Sequence, residues 1–331
     1  MRKRIEIDND VLKINCEKEV DKIVNKMKLV LTDSLKRRGF VVAISGGIDS
    51  SVTAALCVKA IGKDRVFALQ MPERHSSENT LSISSRLAEH FKIERLHVDI
   101  TPILESVGFY EKYNSAVRSV FPNYTSEWKS KIVLPGLTET SAISFYSLVA
   151  ESPAGVIEKK RLPLKSYLEI VAATNFKQRI RKMMEYYHAD RLHYAATGTP
   201  NRLEYDQGFF VKLGDGAGDI KPIAHLYKSQ VYQIAEYLDV PEEIRKRTPT
   251  TDTYSLSQGQ DEFYFSLPYD KMDICLYAKN NAIPPDSVAE YLKLPIEIII
   301  NVFKDIDKKR NTTAYLHYPP FLIEKVSEVK I

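Results

Sequence analysis

The chain is poor in the features that mark secreted, zinc-stabilised and membrane-spanning proteins. Its 331 residues contain three cysteines, Cys16, Cys57 and Cys275, and no CxxC pair. We therefore expect neither a disulfide framework nor a structural zinc site, and a reducing cytoplasm is the natural compartment. No run approaches the roughly 18 apolar residues of a membrane span. The charged start MRKRIEIDND has no apolar segment after it, so a signal peptide is not expected either.

An excess of charge of one sign is lacking as well. The 47 lysines and arginines and the 43 aspartates and glutamates leave a net charge of +4. This balance does not indicate a nucleic-acid or membrane partner. A hydrophobic fraction of 44% beside 27% charged residues is typical of a soluble globular protein with a sizeable core.

Apolar periodicity between residues 15 and 100 predicts alternating helices and strands. Apolar residues at helical spacing predict a lead-in helix within 15–38, and the apolar run 40–44 predicts a strand buried on both faces. The predicted elements that follow are a helix from 51, a strand over 65–71, a helix over 77–91 and a strand over 95–100. This order is typical of a doubly wound parallel α/β sheet with right-handed crossovers.

Regularity stops at about residue 105 and returns at about 171. Segment 105–170 carries four prolines and weak periodicity. We predict that it is an inserted lid or acceptor subdomain. Asn175 is predicted to cap a helix, and residues 192–198 are predicted to form a further strand. The predicted divisions are a helical lead-in over 1–38, the α/β domain over 39–104 and 171–268, the insert over 105–170, and C-terminal helices with a tail over 269–331.

The segment 41–51, VVAISGGIDSS, carries the strongest chemical signal. Two glycines after a buried strand let backbone N–H groups approach an anion, and the helix start beyond them offers a positive dipole end. Ser45, Ser50 and Ser51 add hydroxyl donors. Asp49 would repel a phosphate unless a divalent cation lies between them. The unit therefore predicts a metal-assisted phosphate site, although the chain has no Walker A motif.

SGGIDSS resembles the pyrophosphatase loop of the ATP-pyrophosphatase (N-type, adenylating) enzymes. Five further blocks resemble motifs of the NAD synthetase family: NFKQRIR at 175–181, TGTPNRLE at 197–204, KLGDGAGDI at 212–220, LYKSQV at 226–231 and PTTD at 249–252. These blocks keep the family's order over about half the chain. The resemblance implies an adenine-nucleotide α-hydrolase-like fold, with helical additions and a long insert.

The resemblance also implies roles for the residues on matching positions. ATP would be bound by Ser45, Gly46, Gly47, Asp49, Ser50, Ser51, Met71, Arg179, Thr199 and Thr250. The substrate would be bound by Lys212, Asp215, Asp219 and Lys309. Mg²⁺ would be held by Asp49 and Glu204, and the predicted catalytic residues are Asp49, Lys212 and Thr250.

Topology and charge in this sequence agree with these roles. The loops that carry Asp49 and Glu204 follow two predicted strands, and in an open α/β sheet such loops meet beyond the carboxyl ends at a switch point. Residues 159–182 carry eight lysines and arginines against one acid, Glu169. A charge run is usually solvent-facing, but on a phosphate-binding scaffold this one could serve ATP or an anionic acceptor.

The implied reaction is that of an ATP-dependent amide-forming ligase. It adenylates a carboxylate, for which deamido-NAD is the expected substrate, and ammonia then displaces AMP to give NAD. The implied cofactors are ATP and Mg²⁺, and the implied assembly is a homodimer. The 38 residues before the first strand are too few for a glutaminase domain, so free ammonia or a separate amidase would supply the nitrogen.

Three alternatives stay open at this point. Pro200, Leu203 and Lys308 depart from the family pattern, and with the long insert they favour a related ligase that amidates another carboxylate, such as a sugar acid or a natural-product intermediate. A tRNA-thiolating enzyme shares the loop, but it would require a reactive cysteine pair and an RNA-binding extension. A non-catalytic nucleotide-binding module would not need both Asp49 and Glu204.

Overall fold

The structure, a computed structural model, describes residues 7–8, 10–76, 78–134, 146–247, 253–256, 259, 264–265 and 267–329. The strands are β1 (Phe40–Ala43), β2 (Val66–Gln70), β3 (Glu94–His97), β4 (Lys129–Val133), β5 (Ser147–Glu151), β6 (Ile157–Arg161) and β7 (Ala195–Ala196). The helices are α1 (Cys16–Leu29), α2 (Ile48–Ile61), α3 (Glu78–His90), α4 (Thr101–Ser106), α5 (Phe109–Arg118), α6 (Leu164–Leu192), α7 (Arg202–Gln207), α8 (Lys228–Tyr237), α9 (Glu242–Arg245), α10 (Tyr269–Asn280), α11 (Pro285–Leu292) and α12 (Ile296–His317).

The central sheet has four strands in the order β3-β2-β1-β7, and every pair is parallel. The chain runs outward from β1 through β2 to β3 and then returns to place β7 on the opposite side of β1. The strand order therefore reverses between β1 and β7, which is the switch point of a doubly wound sheet. The predicted fold class is confirmed.

Alternate residues of β1 supply two separate cores. Phe40 and Val42 belong to the apolar cluster that holds α1, α2 and α8, whereas Val41 belongs to the cluster on the other face. All three side chains are fully buried. Helices thus cover both faces of the sheet, as a continuous apolar run in a parallel strand predicts.

Segment 105–170 contains regular structure that its irregular pattern did not predict. Strands β4, β5 and β6 form a separate antiparallel sheet. Ile132 and Leu148 are buried in the same cluster as Val41, so this sheet shares a core with one face of the central sheet. Strand β6, with the sequence IEKKR, is exposed along its whole length. An exposed strand of this kind has no apolar alternation to reveal it.

The prediction that a helix starts at Asn175 is wrong about where that helix begins. Helix α6 begins at Leu164, directly after Pro163, and continues without a break to Leu192. Asn175 therefore lies in the helix interior and caps nothing. The helix buries several polar side chains, and these hide the apolar period: Ser166, Thr174, Lys177, Lys182, Glu185 and His188. It ends where His193 adopts a left-handed conformation with φ of 58°.

Several other element boundaries also differ from the sequence prediction. The strand expected over 192–198 is limited to β7, with an isolated parallel bridge from Thr197 to Ile220. The lead-in helix ends at Leu29 and is followed by a π-helical turn over Val30–Ser34. The C-terminal helices α10, α11 and α12 share a third core with Leu203 of α7. None of the described helices is long and apolar enough to cross a membrane.

Candidate active site

The loop after β1 contains a glycine in a backbone conformation that would strain any other residue. Gly46 has φ of 70°, a left-handed value, and a Cβ atom there would lie 3.1 Å from Cγ2 of Ile83. Gly47 then precedes α2 in an extended conformation. The hydroxyls of Ser50 and Ser51 both donate to the carbonyl of Gly47, over 3.1 and 2.8 Å. The start of α2 is thereby fixed with its N-terminal dipole facing the loop, as an anion site requires.

Asp49 lies at the centre of a polar cluster built from three helices. Its Oδ1 accepts a hydrogen bond from the Asn201 amide over 3.1 Å, and its Oδ2 accepts from Nζ of Lys228. Asn201 and Glu204 form a reciprocal capping box at the start of α7. This box places the Glu204 carboxylate beside Asp49, on the far side of the switch point.

Lys228 reaches Asp49 because another acid fixes the start of α8. The carboxylate of Asp273, buried in α10, accepts hydrogen bonds from the backbone N–H of Lys228 over 3.2 Å and of Ser229 over 2.7 Å. Burial raises the pKa of Asp273 to about 6, in spite of these donors. The Lys228 side chain is 2% exposed, so its charge is directed inward.

The electrostatics of the cluster are dominated by two close carboxylates. Burial, and next the negative charge of Asp49, raise the pKa of Glu204 to about 8. Burial alone would lower the pKa of Lys228, but Asp49 and Glu204 together raise it well above its ordinary value. A single buried ammonium thus faces two acids. Such a site favours a further cation.

The donor chemistry fits Mg²⁺ as that cation. Carboxylate oxygens are the protein ligands that Mg²⁺ prefers, and it commonly uses one or two of them together with phosphate oxygens and waters. Within the described ranges no group of three or more His, Cys, Asp and Glu residues could hold a metal by itself. The pair of Asp49 and Glu204 therefore matches a metal that is completed by a bound phosphate.

Two cavities meet at this cluster. The first has a volume of about 270 Å³ and the second about 350 Å³. Their shared lining comprises Ser45, Gly47, Asp49, Ser50, Gln178, Thr199 and Asp215. The loop after β1 and the loop after β7 thus form a common wall between two spaces, each large enough for part of a nucleotide.

The two cavities differ in the side chains beyond that wall. The first extends along the ends of β1 and β2, past Met71, Pro72 and Arg247. The second is rich in aromatic side chains: Tyr146, Tyr167, Phe209, Phe210, Tyr254 and Tyr264. Tyr146 and Tyr167 are stacked with ring centroids 4.6 Å apart. The first space is therefore walled by the loop after β1 and the ends of β1 and β2, while the second offers flat aromatic surfaces.

The structure brings together most of the residues predicted for the site, but not all of them. Ser45, Gly47, Asp49, Ser50, Met71, Thr199, Glu204 and Asp215 all line one or both cavities. Gly46 belongs to the same loop, and Ser51 lies in the first turn of α2 with its side chain buried. Thr250 lies outside the described residues. The described cavity linings do not include Arg179, Lys212, Asp219 or Lys309.

These last four side chains contact other parts of the chain. Nζ of Lys212 donates to the carbonyls of Tyr315 and Tyr318, over 2.8 and 3.0 Å, at the end of α12. Nε of Arg179 donates to the carbonyl of Lys212 over 3.3 Å. Asp219 accepts from the backbone N–H of Ala196 over 2.8 Å. Lys309 pairs with Asp305 over 2.6 Å. Their predicted ligand roles stay predictions.

Part of the basic run over 159–182 binds the protein itself. Lys177 pairs with Glu73, Arg181 donates to the carbonyl of Met71, and Lys182 donates to the carbonyl of Thr197. Helix α6 thus fixes the chain at the ends of β2 and β7. Sequence reasoning missed this function, and it also missed Lys228 and Asn201 as site residues. Lys228 lies in the matched block LYKSQV and Asn201 in TGTPNRLE, so membership of these blocks is the sequence signal that indicates them.

A parallel doubly wound sheet with SGGIDSS at its switch point and two carboxylates beyond it defines an adenylating nucleotide-binding enzyme of the ATP-pyrophosphatase type. The family model described as NAD synthase matches residues 19–125 and 146–314. The chain belongs to the NAD synthase family, and its class is that of the ATP-dependent ligases that form a C–N bond. The resemblance inferred from the motifs is confirmed, and a tRNA-thiolating enzyme is no longer a candidate.

Individual relatives agree with this assignment. The chain is 52% identical over 318 residues to a protein of Mesorhizobium japonicum named NH(3)-dependent NAD(+) synthetase, covering 96% of this chain and 100% of the relative. A protein of the same name from Thermotoga maritima is 37% identical over 238 residues, covering 71% of this chain and 78% of the relative. The family model leaves 126–145 unmatched, and this stretch lies inside segment 105–170, which stays a predicted insert.

Solved structures show the same fold at low sequence identity. NMN synthetase from Francisella tularensis aligns with a TM-score of 0.63 and 22% identity, covering 94% of this chain and 99% of that one. NH3-dependent NAD synthetase from Campylobacter jejuni, in complex with the nitrate ion, aligns with a TM-score of 0.61 and 22% identity, covering 94% and 100%.

Proposed function

We propose that this ligase amidates the carboxylate of deamido-NAD with ammonia and ATP, giving NAD, AMP and pyrophosphate. The observation that carries the proposal is the common wall of the two cavities at Asp49, Thr199 and Asp215. A reaction that joins two substrates needs two spaces that open onto one reaction centre. The relatives named NH(3)-dependent NAD(+) synthetase support the choice of acceptor and of nitrogen donor.

The reaction has two steps. An oxygen of the acceptor carboxylate attacks the α-phosphorus of ATP, a P–O bond forms, and the bond to pyrophosphate breaks. Ammonia then attacks the acyl carbon, and AMP leaves with the bridging oxygen and its electron pair while the nitrogen loses a proton. No side-chain nucleophile takes part. The chain's contribution is to position the reactants and stabilise negative charge.

The residues around the common wall suit that contribution. The 45–47 loop and the positive dipole end of α2 would lie against the phosphates, and Lys228 would supply a buried positive charge beside them. Mg²⁺, if bound by Asp49 and Glu204, would neutralise phosphate charge. The first cavity would hold the nucleotide, since it lies against this loop and the ends of β1 and β2.

The second cavity would hold the acceptor. Its aromatic lining suits the flat pyridine ring of a nicotinate nucleotide, because aromatic rings favour offset stacking and edge contacts with one another. Tyr146 and Tyr167 of that lining belong to segment 105–170. This supports an acceptor-binding role for the insert. We further propose that the protein acts in the cytoplasm as a homodimer.

Product analysis tests the proposed function. The purified protein is incubated with deamido-NAD, an ammonium salt, ATP and Mg²⁺, and NAD, AMP and pyrophosphate are quantified. The three products are expected in equal amounts, and Asp49→Asn is expected to abolish their formation. A panel of sugar acids and other carboxylates serves as the comparison. Deamido-NAD that neither reacts nor raises the melting temperature at millimolar concentration, while ATP does raise it, would favour the ligase with a different acceptor.

A further inference from the structure

We propose that the buried ion pair of Glu73 and Lys177 is a positioning pair, which fixes the wall of the first cavity relative to the wall of the second. This role rests on the proposed two-substrate function. Nζ of Lys177 lies 2.7 Å from Oε1 of Glu73, and the two side chains are 2% and 0% exposed. Lys177 lies in the matched block NFKQRIR, whereas Glu73 lies in none of the six matched blocks. The motif resemblance implies no ligand role for either residue.

Each member of the pair also forms a hydrogen bond with another part of the chain. The hydroxyl of Tyr110, on α5, donates to the second oxygen of Glu73 over 2.9 Å. Lys177 also donates to the carbonyl of Thr253 over 3.2 Å. Burial alone would raise the pKa of Glu73, but the positive charge of Lys177 beside it lowers that pKa below its ordinary value. The carboxylate is therefore ionised and fully partnered.

Each partner continues into the wall of a different cavity. Glu73 begins a tight turn that ends at Ser76. The backbone N–H of Glu73 donates to the Ser76 hydroxyl over 3.1 Å, and the backbone N–H of Ser76 donates to the carbonyl of Glu73 over 2.8 Å. Met71, Pro72 and Ser76 around this turn line the first cavity. Lys177 and Thr253 line the second cavity. The ion pair thus connects the wall of one cavity to the wall of the other.

Stability alone does not require a buried ion pair at this place. A buried pair loses much of its Coulombic gain to desolvation, and apolar residues of similar size often give equal stability. The pair instead supplies a fixed geometry, because the buried ammonium of Lys177 and carboxylate of Glu73 are stable only when they lie within hydrogen-bond distance of each other. Arg181, one turn beyond Lys177 on α6, adds a second bond to the same loop at the carbonyl of Met71. One helix therefore sets the position of the loop that walls the first cavity.

The double variant Glu73→Gln/Lys177→Met separates positioning from folding, since it removes both charges together. We expect it to melt within about 5 °C of the wild type, because no unpaired buried charge is left. Its ATP Kd by calorimetry is expected to rise at least about tenfold, and kcat/KM for ATP and for deamido-NAD is expected to fall about a hundredfold, the typical effect of a displacement of about 1 Å.

A matched control is Lys279→Met, which breaks the ion pair of Lys279 with Asp307, 2.7 Å apart on α10 and α12. Neither of these residues is among the described lining of the cavities. The control is expected to keep wild-type ATP affinity and turnover. A double variant with a wild-type melting temperature, wild-type ATP affinity and wild-type kcat/KM would overturn the proposal.

Two further measurements keep the test decisive. If the double variant does not fold, Tyr110→Phe, which deletes one hydroxyl from the network, replaces it. A severalfold weaker ATP affinity then supports the positioning role, and an unchanged affinity overturns it. If the wild type does not amidate deamido-NAD, the proposed function fails, but the ATP-binding measurement still decides the role of the pair.

Discussion

Glu204→Gln is predicted to stabilise the ligand-free protein while it impairs the reaction. Gln keeps the shape of Glu204, and its side-chain oxygen can still accept from the Asn201 N–H in the capping box. It removes the negative charge that is repelled by Asp49. The structure therefore assigns opposite effects on stability and on activity to one substitution.

The sign and size of the stability effect follow from the pKa. Burial and the charge of Asp49 raise the pKa of Glu204 from 4.5 to about 8. Between these values the folded protein binds the proton more tightly than the unfolded chain does, so the free energy of unfolding of the wild type falls as pH rises. The fall is limited to about 5 kcal/mol at about 1.4 kcal/mol for each pKa unit. We expect to measure about 1–3 kcal/mol, because the half-buried side chain is partly screened by solvent.

The assay is denaturant unfolding at pH 5, 6, 7, 8 and 9, without nucleotide or metal. Glu204→Gln is expected to match the wild type near pH 5 and to become progressively more stable up to about pH 8. Glu290→Gln, at an exposed acid on α11, is the control and should show no such trend. With Mg²⁺ and ATP present the order should reverse, and kcat should be about 10²–10³-fold lower in Glu204→Gln. A variant less stable than the wild type at every pH would refute the repulsion between the two carboxylates.

Three further predictions concern the loop, the second cavity and the insert. Gly46→Ala forces a left-handed φ of 70° on alanine against Ile83. It is expected to cost about 1–2 kcal/mol of stability and to weaken ATP binding measured by calorimetry, whereas Gly155→Ala, with φ of 77° and open space around it, should cost stability alone. Tyr167→Ala is expected to raise KM for deamido-NAD and leave KM for ATP unchanged, and equal changes in both would contradict the assignment of the cavities. Limited proteolysis should cut within 105–170 more slowly when ATP, Mg²⁺ and deamido-NAD are bound, and cleavage at equal rates with and without ligands would argue against a lid.

The first half of the central sheet could be predicted because its local signals are strong and agree with one another. The apolar run at 40–44, the glycines at 46 and 47 and the alternation beyond them all indicate one arrangement, and β1, the loop and α2 follow it. The position of Asp49 beside Glu204 followed from topology, because loops after neighbouring parallel strands meet at one edge.

The second half could not be predicted in the same way, because its determinants are long-range. Helix α6 buries Lys177, Lys182 and Glu185, and these polar residues are stable inside only because distant loops and neighbouring turns supply their partners. The inward direction of Lys228 likewise depends on Asp273, which lies 45 residues away. Neither arrangement leaves a periodic signal in its own segment.

Isotope transfer decides whether the acceptor is adenylated and then amidated at the common wall of the two cavities. Deamido-NAD labelled with heavy oxygen in both positions of its carboxylate is incubated with the enzyme, ammonia, ATP and Mg²⁺, and the products are analysed by mass spectrometry. Adenylation followed by amidation predicts one heavy oxygen in the phosphate of each AMP, one in the amide of each NAD and none in pyrophosphate. Unlabelled AMP, or label in pyrophosphate or inorganic phosphate, would contradict it.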